Sequence, residues 1–80
     1  MSTVRAYDEI IDFIAGGTTP HAVAHFRPSE AVRQRVAELI AGEKAGRLSS
    51  EETLELDRYL ALEHLMRLAK ARALRFASDE

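Results

Sequence analysis

Two histidines four residues apart form the metal-binding pattern of this chain. In HAVAH, His21 and His25 would share one face of a helix, where two imidazoles can bind the same metal ion. A zinc site needs further ligands, and Ala22 stands where the zinc protease motif has glutamate. His64 could be a third ligand only if the fold brought it close. The alternative is a pair of partly exposed histidines on a short helix, and we therefore predict neither a metal nor a cofactor.

A basic stretch near the C-terminal end, RLAKARALR, is the only pattern that suggests contact with nucleic acid. Its cations could bind phosphates, and they are Arg67, Lys70, Arg72 and Arg75. On a helix these side chains would spread around the axis, and no aromatic residues are interleaved for stacking on bases. Nucleic acid is therefore not the expected partner, although a nucleic-acid-binding regulator remains an alternative.

Catalysis has little support in the sequence. The adjacent carboxylates Glu51 and Glu52 fit the first turn of a helix, where negative charge stabilises the helix dipole. There is no glycine-rich phosphate loop and no supported Ser-His-Asp arrangement. An active site also needs a concave pocket, which so short a chain can hardly build. We predict that the protein is not an enzyme.

The composition is that of a small globular domain. The 80 residues include 46% hydrophobic and 30% charged residues, and the net charge of −2 attracts neither nucleic acid nor acidic membranes globally. There is no cysteine, which excludes disulfides and thiolate zinc sites. Asp8, Glu9 and Asp12 interrupt the apolar region that a signal peptide would need. No apolar run approaches the ~20 residues that span a bilayer. We therefore expect one cytoplasmic domain over residues 1–80.

Apolar residues recur with helical spacing in three segments, which predicts an all-α fold. The pattern Tyr7, Ile10, Ile11, Ile14 predicts a first helix over about 3–15, capped by Ser2 or Thr3 and ended by two glycines. Thr19 and Pro20 predict a short helical piece through His25. The predicted second principal helix covers about 30–45, with Ser29 as its cap, Gly46 after its end, and an apolar stripe of Val32, Val36, Leu39 and Ile40.

The clearest junction in the sequence is GRLSSEE. Ser49 and Glu52 have the spacing of a capping box, in which each side chain binds the other residue's backbone N–H. They predict a third principal helix from Ser50 to about Phe76, roughly 40 Å long at 1.5 Å per residue. The short connection before it favours an antiparallel helical hairpin.

This long helix has more apolar residues than one contact face can use. A broad arc on a helical wheel is expected to face the core, and it contains Leu54, Leu62, Leu65, Met66, Leu68, Ala69, Ala73 and Phe76. A second strip is expected to contact another chain, either a second copy of this one or a protein partner such as a nuclease. Its residues are Leu56, Leu60, Glu63, Arg67 and Leu74. Glu63 and Arg67 are in the favourable order for a helical ion pair.

The charges of the long helix are ordered along its length. Acidic residues fill its first half and basic residues its second half, which complements the helix dipole. The same order makes the helix complementary to an antiparallel copy of itself. Solvated charge that only supports the helix is the simpler explanation for most of these residues.

Two segments carry a resemblance to a known group of proteins. FRPSE, Phe26 to Glu30, and LEHLMRLAKARA, Leu62 to Ala73, resemble short, largely uncharacterised bacterial all-helical proteins, and the similarity covers nearly the whole chain. Genes of that group often lie beside a gene for an HNH-type nuclease, in an arrangement similar to toxin–antitoxin pairs. The resemblance implies a small helical partner protein that restrains a nuclease, and it implies no catalytic residues.

The expected function is therefore protein–protein interaction, as an antitoxin-like or accessory subunit. The first alternative is a stand-alone homodimeric scaffold or regulator. The second is the nucleic-acid-binding regulator that would use the basic end of the long helix.

Overall fold

Four α-helices follow one another in the computed structural model, which describes residues 5–77. They are α1 (Asp8–Ala15), α2 (Pro20–His25), α3 (Glu30–Lys44) and α4 (Ser50–Ala77). Residues 5–77 contain no strand, and the all-α class is confirmed.

Side-chain caps explain where three of the helices begin. Thr19 Oγ1 accepts the Ala22 N–H at 3.1 Å before α2, and Ser29 Oγ accepts the Val32 N–H at 3.3 Å before α3. Before α4 the capping box is complete. The Glu52 N–H donates to Ser49 Oγ at 3.1 Å, and the Ser49 N–H donates to Glu52 Oε1 at 3.0 Å. These beginnings confirm the boundaries that the sequence predicts.

The first helix starts later than the sequence predicts. Ala6 and Tyr7 form a turn, and α1 begins only at Asp8. The Arg5 N–H donates to Asp8 Oδ2 at 2.8 Å, and the Ala6 N–H donates to Glu55 Oε2 of α4 at 2.8 Å. These bonds hold the chain in a turn ahead of the helix. The proposed caps Ser2 and Thr3 lie outside the described residues.

The core lies between the N-terminal turn, α1, α3 and the first half of α4. Its buried apolar members are Ala6, Tyr7, Ile10, Val32, Leu39, Leu56 and Tyr59. Leu48, which precedes the capping box, packs against this cluster. Both α2 and α3 pack against α4. Met66 and Ala73, seven residues apart on one side of α4, are also buried.

Each predicted apolar stripe of the shorter helices is only partly buried. Ile10 of α1 lies in the core, whereas Ile11 and Ile14 are about half exposed. In α3, Leu39 is buried and Ile40 is more exposed. The shorter helices cover only one side of α4, and the outer edge of each stripe remains in solvent.

The molecule is elongated because α4 is longer than the elements packed against it. Its principal-axis extents are 47 × 28 × 19 Å and its Cα radius of gyration is 14.3 Å. A compact domain of this length would have a radius of gyration of about 11.6 Å. The long helix therefore presents an extended side surface.

Candidate interaction surface

A buried carboxylate fixes the first half of α4 to the rest of the fold. Glu55 is only 7% exposed. Arg35 of α3 donates to it twice, from Nε at 3.1 Å and from a terminal nitrogen at 2.9 Å, and the Ala6 N–H donates to the same carboxylate. One side chain of α4 thus joins α3 and the N-terminal turn. Such bidentate pairs are directional, so they set the rotation of α4 about its axis.

Both charges of this pair are stabilised in the folded protein. The Arg35 hydrogen bonds lower the pKa of Glu55, and burial opposes them only in part. The hydrogen bond to Glu55 raises the pKa of Arg35. At neutral pH both groups are therefore charged. We assign the pair a structural role, since all its donors come from the fold itself.

Tyr7 provides a second attachment between the N-terminal turn and α4. Arg58 donates to the Tyr7 hydroxyl at 3.2 Å, and its guanidinium carbon lies 5.8 Å from the ring centroid. Arg5 lies over the same ring, at 5.9 Å. The Arg58 head group is thereby held toward the core side of the helix.

Leu56 is wrongly placed in the predicted partner strip. It is 0% exposed and belongs to the core cluster. The same rotation of α4 that buries Glu55 and Tyr59 also places Leu56 within the covered face. Leu56 is therefore unavailable to another chain.

The predicted core-facing arc of α4 is also wrong in part. Met66 and Ala73 are buried as expected, and Leu62 is half-buried. By contrast, Leu65 is 58% and Phe76 is 61% exposed. The arc is wider than the face that the shorter helices cover, so its outer half remains in solvent.

We call the outer half of the arc, together with the neighbouring exposed Ala61, the apolar stripe. At ~100° per residue its members lie within about 100° of one another around the helix, and they are Leu54, Ala61, Leu65, Leu68, Ala69 and Phe76. All are exposed except Ala69, which is half-buried. An open groove of about 480 Å³ lies on this face, between Leu65, Leu68 and Arg72. The same arc also carries Glu51, Arg58 and Arg72, which divide its apolar surface. Large exposed apolar side chains gathered on one helix face still indicate an interaction site.

The remaining residues of the predicted strip lie on the other flank of α4. Leu60 and Leu74 are exposed, as an interface would require. Between them Arg67 forms the predicted ion pair with Glu63. We call Leu60, Arg67 and Leu74 the second strip. It is separate from the apolar stripe because the two lie on opposite sides of the covered face.

The basic residues do not combine into one surface. Arg67 is paired with Glu63 and lies on the flank opposite Arg72. Lys70 is half-buried at the covered face. Arg72 and Arg75 line the groove of the apolar stripe. A phosphate-binding face would need these cations side by side.

The two histidines of HAVAH contact each other. The His21 and His25 ring centroids are 4.3 Å apart, and His25 Nδ1 donates to the His21 carbonyl oxygen at 2.9 Å. Over residues 5–77, no group of three or more histidine, aspartate or glutamate side chains could hold a metal ion. His64 is not brought to the pair in such a group.

The Glu55–Arg35 pair is the feature that sequence reasoning missed. From the sequence, Glu55 is one of several acidic residues in the first half of α4. Its signal was its position, since it lies on the apolar side of the wheel near Tyr59 and Leu62. A lone acid on an apolar face requires a cation on a facing element, and Arg35 lies at the edge of the α3 stripe.

Comparison with known proteins adds no relative. No protein-family model, no curated protein and no solved structure matches the chain. In the part of the chain that the structure describes, no helix is both long enough and apolar enough to cross a membrane.

Proposed function

We propose that this protein is an interaction module that binds another protein chain through α4. The observation that carries the proposal is the exposed apolar surface of this helix. Leu65, Leu68 and Phe76 are each more than half exposed, on a helix whose opposite side is covered by its own chain. Apolar side chains at interfaces supply affinity when water is excluded from them.

The biological role that we propose is that of an antitoxin-like or accessory subunit. The resemblance to proteins encoded beside an HNH-type nuclease supports a nuclease as the partner that is restrained. A small acidic protein that binds through an apolar helix face could block a nuclease sterically without chemistry of its own. This role needs no cofactor and no catalytic residue in the chain, and it places the protein in the cytoplasm.

The proposal retains the finer architecture predicted from the sequence. It consists of one domain over residues 1–80 with three principal helices, of which α3 and α4 form an antiparallel hairpin. In that arrangement α1, α2 and α3 lie against one side of α4 and leave the other side available. The Glu55–Arg35 contact between α3 and α4 supports it.

The test is to isolate the protein from its native cells and identify stoichiometric partners. The purified partner is then assayed for DNA cleavage with and without this protein. We expect a nuclease whose activity falls on addition of the wild-type chain and recovers with Leu68→Lys. Leu68→Lys tests the surface because its side chain is exposed and outside the core. Full inhibition by this variant would contradict the role of α4, and the absence of any protein partner would contradict the proposal.

A further inference from the structure

We infer that a second copy of this chain covers the apolar stripe, with the two α4 helices antiparallel about a twofold axis at Leu65. The inference rests on the proposed function, in which the apolar stripe binds another protein chain, and it identifies a second copy of this chain as such a partner. A twofold interface uses the same patch on both chains, so the patch must be complementary to itself. The stripe meets this requirement in its spacing and its side-chain sizes.

The order of residues along the stripe is symmetric about Leu65. Alanines lie four residues to either side, at Ala61 and Ala69, and large apolar residues lie eleven to either side, at Leu54 and Phe76. In an antiparallel pair centred on Leu65, each alanine would face the opposite alanine of the second copy. Leu54 would face Phe76, and the two Leu65 side chains would meet at the axis.

The side-chain sizes allow the helices to approach closely. Interaxial distances of 8–10 Å depend on the side chains at the contact, and alanines on both sides of the axis favour the shorter distance. Leu65 lines the groove of about 480 Å³ together with Leu68 and Arg72. In the pair, Leu65 of one copy lies against Leu68 of the other.

Two cations lie within the arc of the apolar stripe, and the antiparallel pair must accommodate them. They are Arg58 and Arg72, seven residues to either side of Leu65, so the register places Arg58 of one copy opposite Arg72 of the other, where extended side chains would repel each other. Arg58 is instead turned onto the Tyr7 ring and hydroxyl. The exposed Asp57, at the edge of the stripe and one residue along from the position opposite Arg72 of the second copy, is then the charge nearest to that arginine. Such pairs set orientation more than affinity.

The body of each chain does not obstruct the contact. The buried residues of α4 centre on a direction about 120° around the helix from the stripe, so the shorter helices lie to one side. The second strip, with Leu60 and Leu74, remains exposed in the dimer, and a nuclease that binds the apolar stripe would displace the second copy.

The first experiment measures mass by sedimentation equilibrium of the full chain at micromolar concentration. We expect twice the 8.9 kDa of one chain. Leu65→Lys should weaken association more than about 100-fold, because the substitution places a lysine from each of the two copies at the twofold axis. Leu60→Lys, an equally drastic change on the other flank, should leave the dimer intact. Circular dichroism should show both variants folded. A monomeric wild type, or a dimer lost only with Leu60→Lys, would overturn the inference.

The second experiment tests direction and register by cross-linking. The chain has no cysteine, so one introduced thiol reports one position. Under an added thiol oxidant, Leu65→Cys should give a disulfide-linked dimer because the two positions meet at the axis. Ala61→Cys should not cross-link with itself, whereas the mixture of Ala61→Cys and Ala69→Cys should. Efficient self-cross-linking at position 61 would indicate a parallel pair and overturn the antiparallel assignment.

The two proposals can fail separately. If the wild type is monomeric while Leu68→Lys abolishes binding of a purified nuclease, the second copy is excluded and the interaction module stands. If the wild type is dimeric and no other protein binds it, the inference stands and the nuclease role fails.

Discussion

At the scale of single residues, Glu55 determines how α4 is oriented. Its carboxylate receives the Arg35 guanidinium and the Ala6 N–H in a nearly buried position. Removing one partner of a buried charge pair costs more than the pair contributes, because the other charge is left desolvated. Here Arg35 keeps some solvent contact, which reduces that cost.

We expect Glu55→Gln to lower the free energy of unfolding by about 1–3 kcal/mol, the range for hydrogen bonds to charged groups. The folded-state pKa of Glu55 lies below its unfolded value. The stability it contributes is therefore full above an unfolded pKa of about 4.3 and is lost as the pH falls through the lower folded pKa. Urea titrations from pH 7 to 3 should show a shallower acid decline in Glu55→Gln than in the wild type. The exposed Glu51→Gln serves as the control, and an unchanged decline in Glu55→Gln would contradict the assignment.

Gly42 is a second residue whose role depends on packing. The sequence suggests only a loss of helix propensity of roughly 1 kcal/mol relative to alanine. In the structure, a Cβ at this position would lie 2.6 Å from Leu48 Cδ2. The missing side chain makes room for Leu48, which packs against the core.

We therefore expect Gly42→Ala to gain less than the ~1 kcal/mol of propensity, since Leu48 must move. The same substitution in a Leu48→Ala background should show the full gain. A double-mutant cycle of unfolding free energies measures the difference. Equal effects in both backgrounds would mean that Leu48 does not restrict the position.

Local signals predicted the element boundaries, but not the orientation of the elements. Ser29, Ser49 and Gly46 mark helix ends through bonds and dihedral angles within a few residues of themselves, and Gly46 has the expected positive φ of 69°. The face that α4 buries depends on contacts far apart in sequence, such as Ala6 with Glu55. Because apolar residues occupy more than half the circumference of the helical wheel, the sequence does not determine which face of α4 is buried. The assignment of Leu56 to the partner strip is wrong for this reason.

At the scale of elements, the cap of α4 should affect stability measurably. We expect Ser49→Ala to lower the unfolding free energy by about 1 kcal/mol, because it removes the acceptor of the Glu52 N–H. The neighbouring Ser50→Ala is the matched control, with no such cap bond. Chemical denaturation of both variants gives the comparison. Equal midpoints would show that the capping box does not support the long helix.

The two sides of α4 should respond differently to the same charge. Met66 is 6% exposed, and Met66→Asp should cost several kcal/mol or prevent folding, since an unpaired buried charge is strongly unfavourable. Leu60→Asp introduces the same group on the exposed flank and should change stability by less than about 1 kcal/mol. Thermal melting followed by circular dichroism distinguishes them. A native melting curve for Met66→Asp would show that this side of α4 is not covered.

At the scale of the whole molecule, an elongated shape limits how the chain can associate. Leu65 is close to the middle of α4, whose bounds are Ser50–Ala77. Two helices paired about this residue overlap over nearly their full length. End-to-end association would instead nearly double the longest dimension, which is 47 Å for the Cα atoms of one chain.

Small-angle scattering should separate these arrangements. For the side-by-side dimer the two α4 centres are offset by only about 5 Å at 1.5 Å per residue. We therefore expect the scattering mass to double while the maximum dimension grows by little more than that offset. Leu65→Lys provides the monomer for comparison under identical conditions, and Leu60→Lys should scatter like the wild-type dimer. A doubled mass with a nearly doubled maximum dimension would place the contact at the ends of the molecule and leave the apolar stripe uncovered.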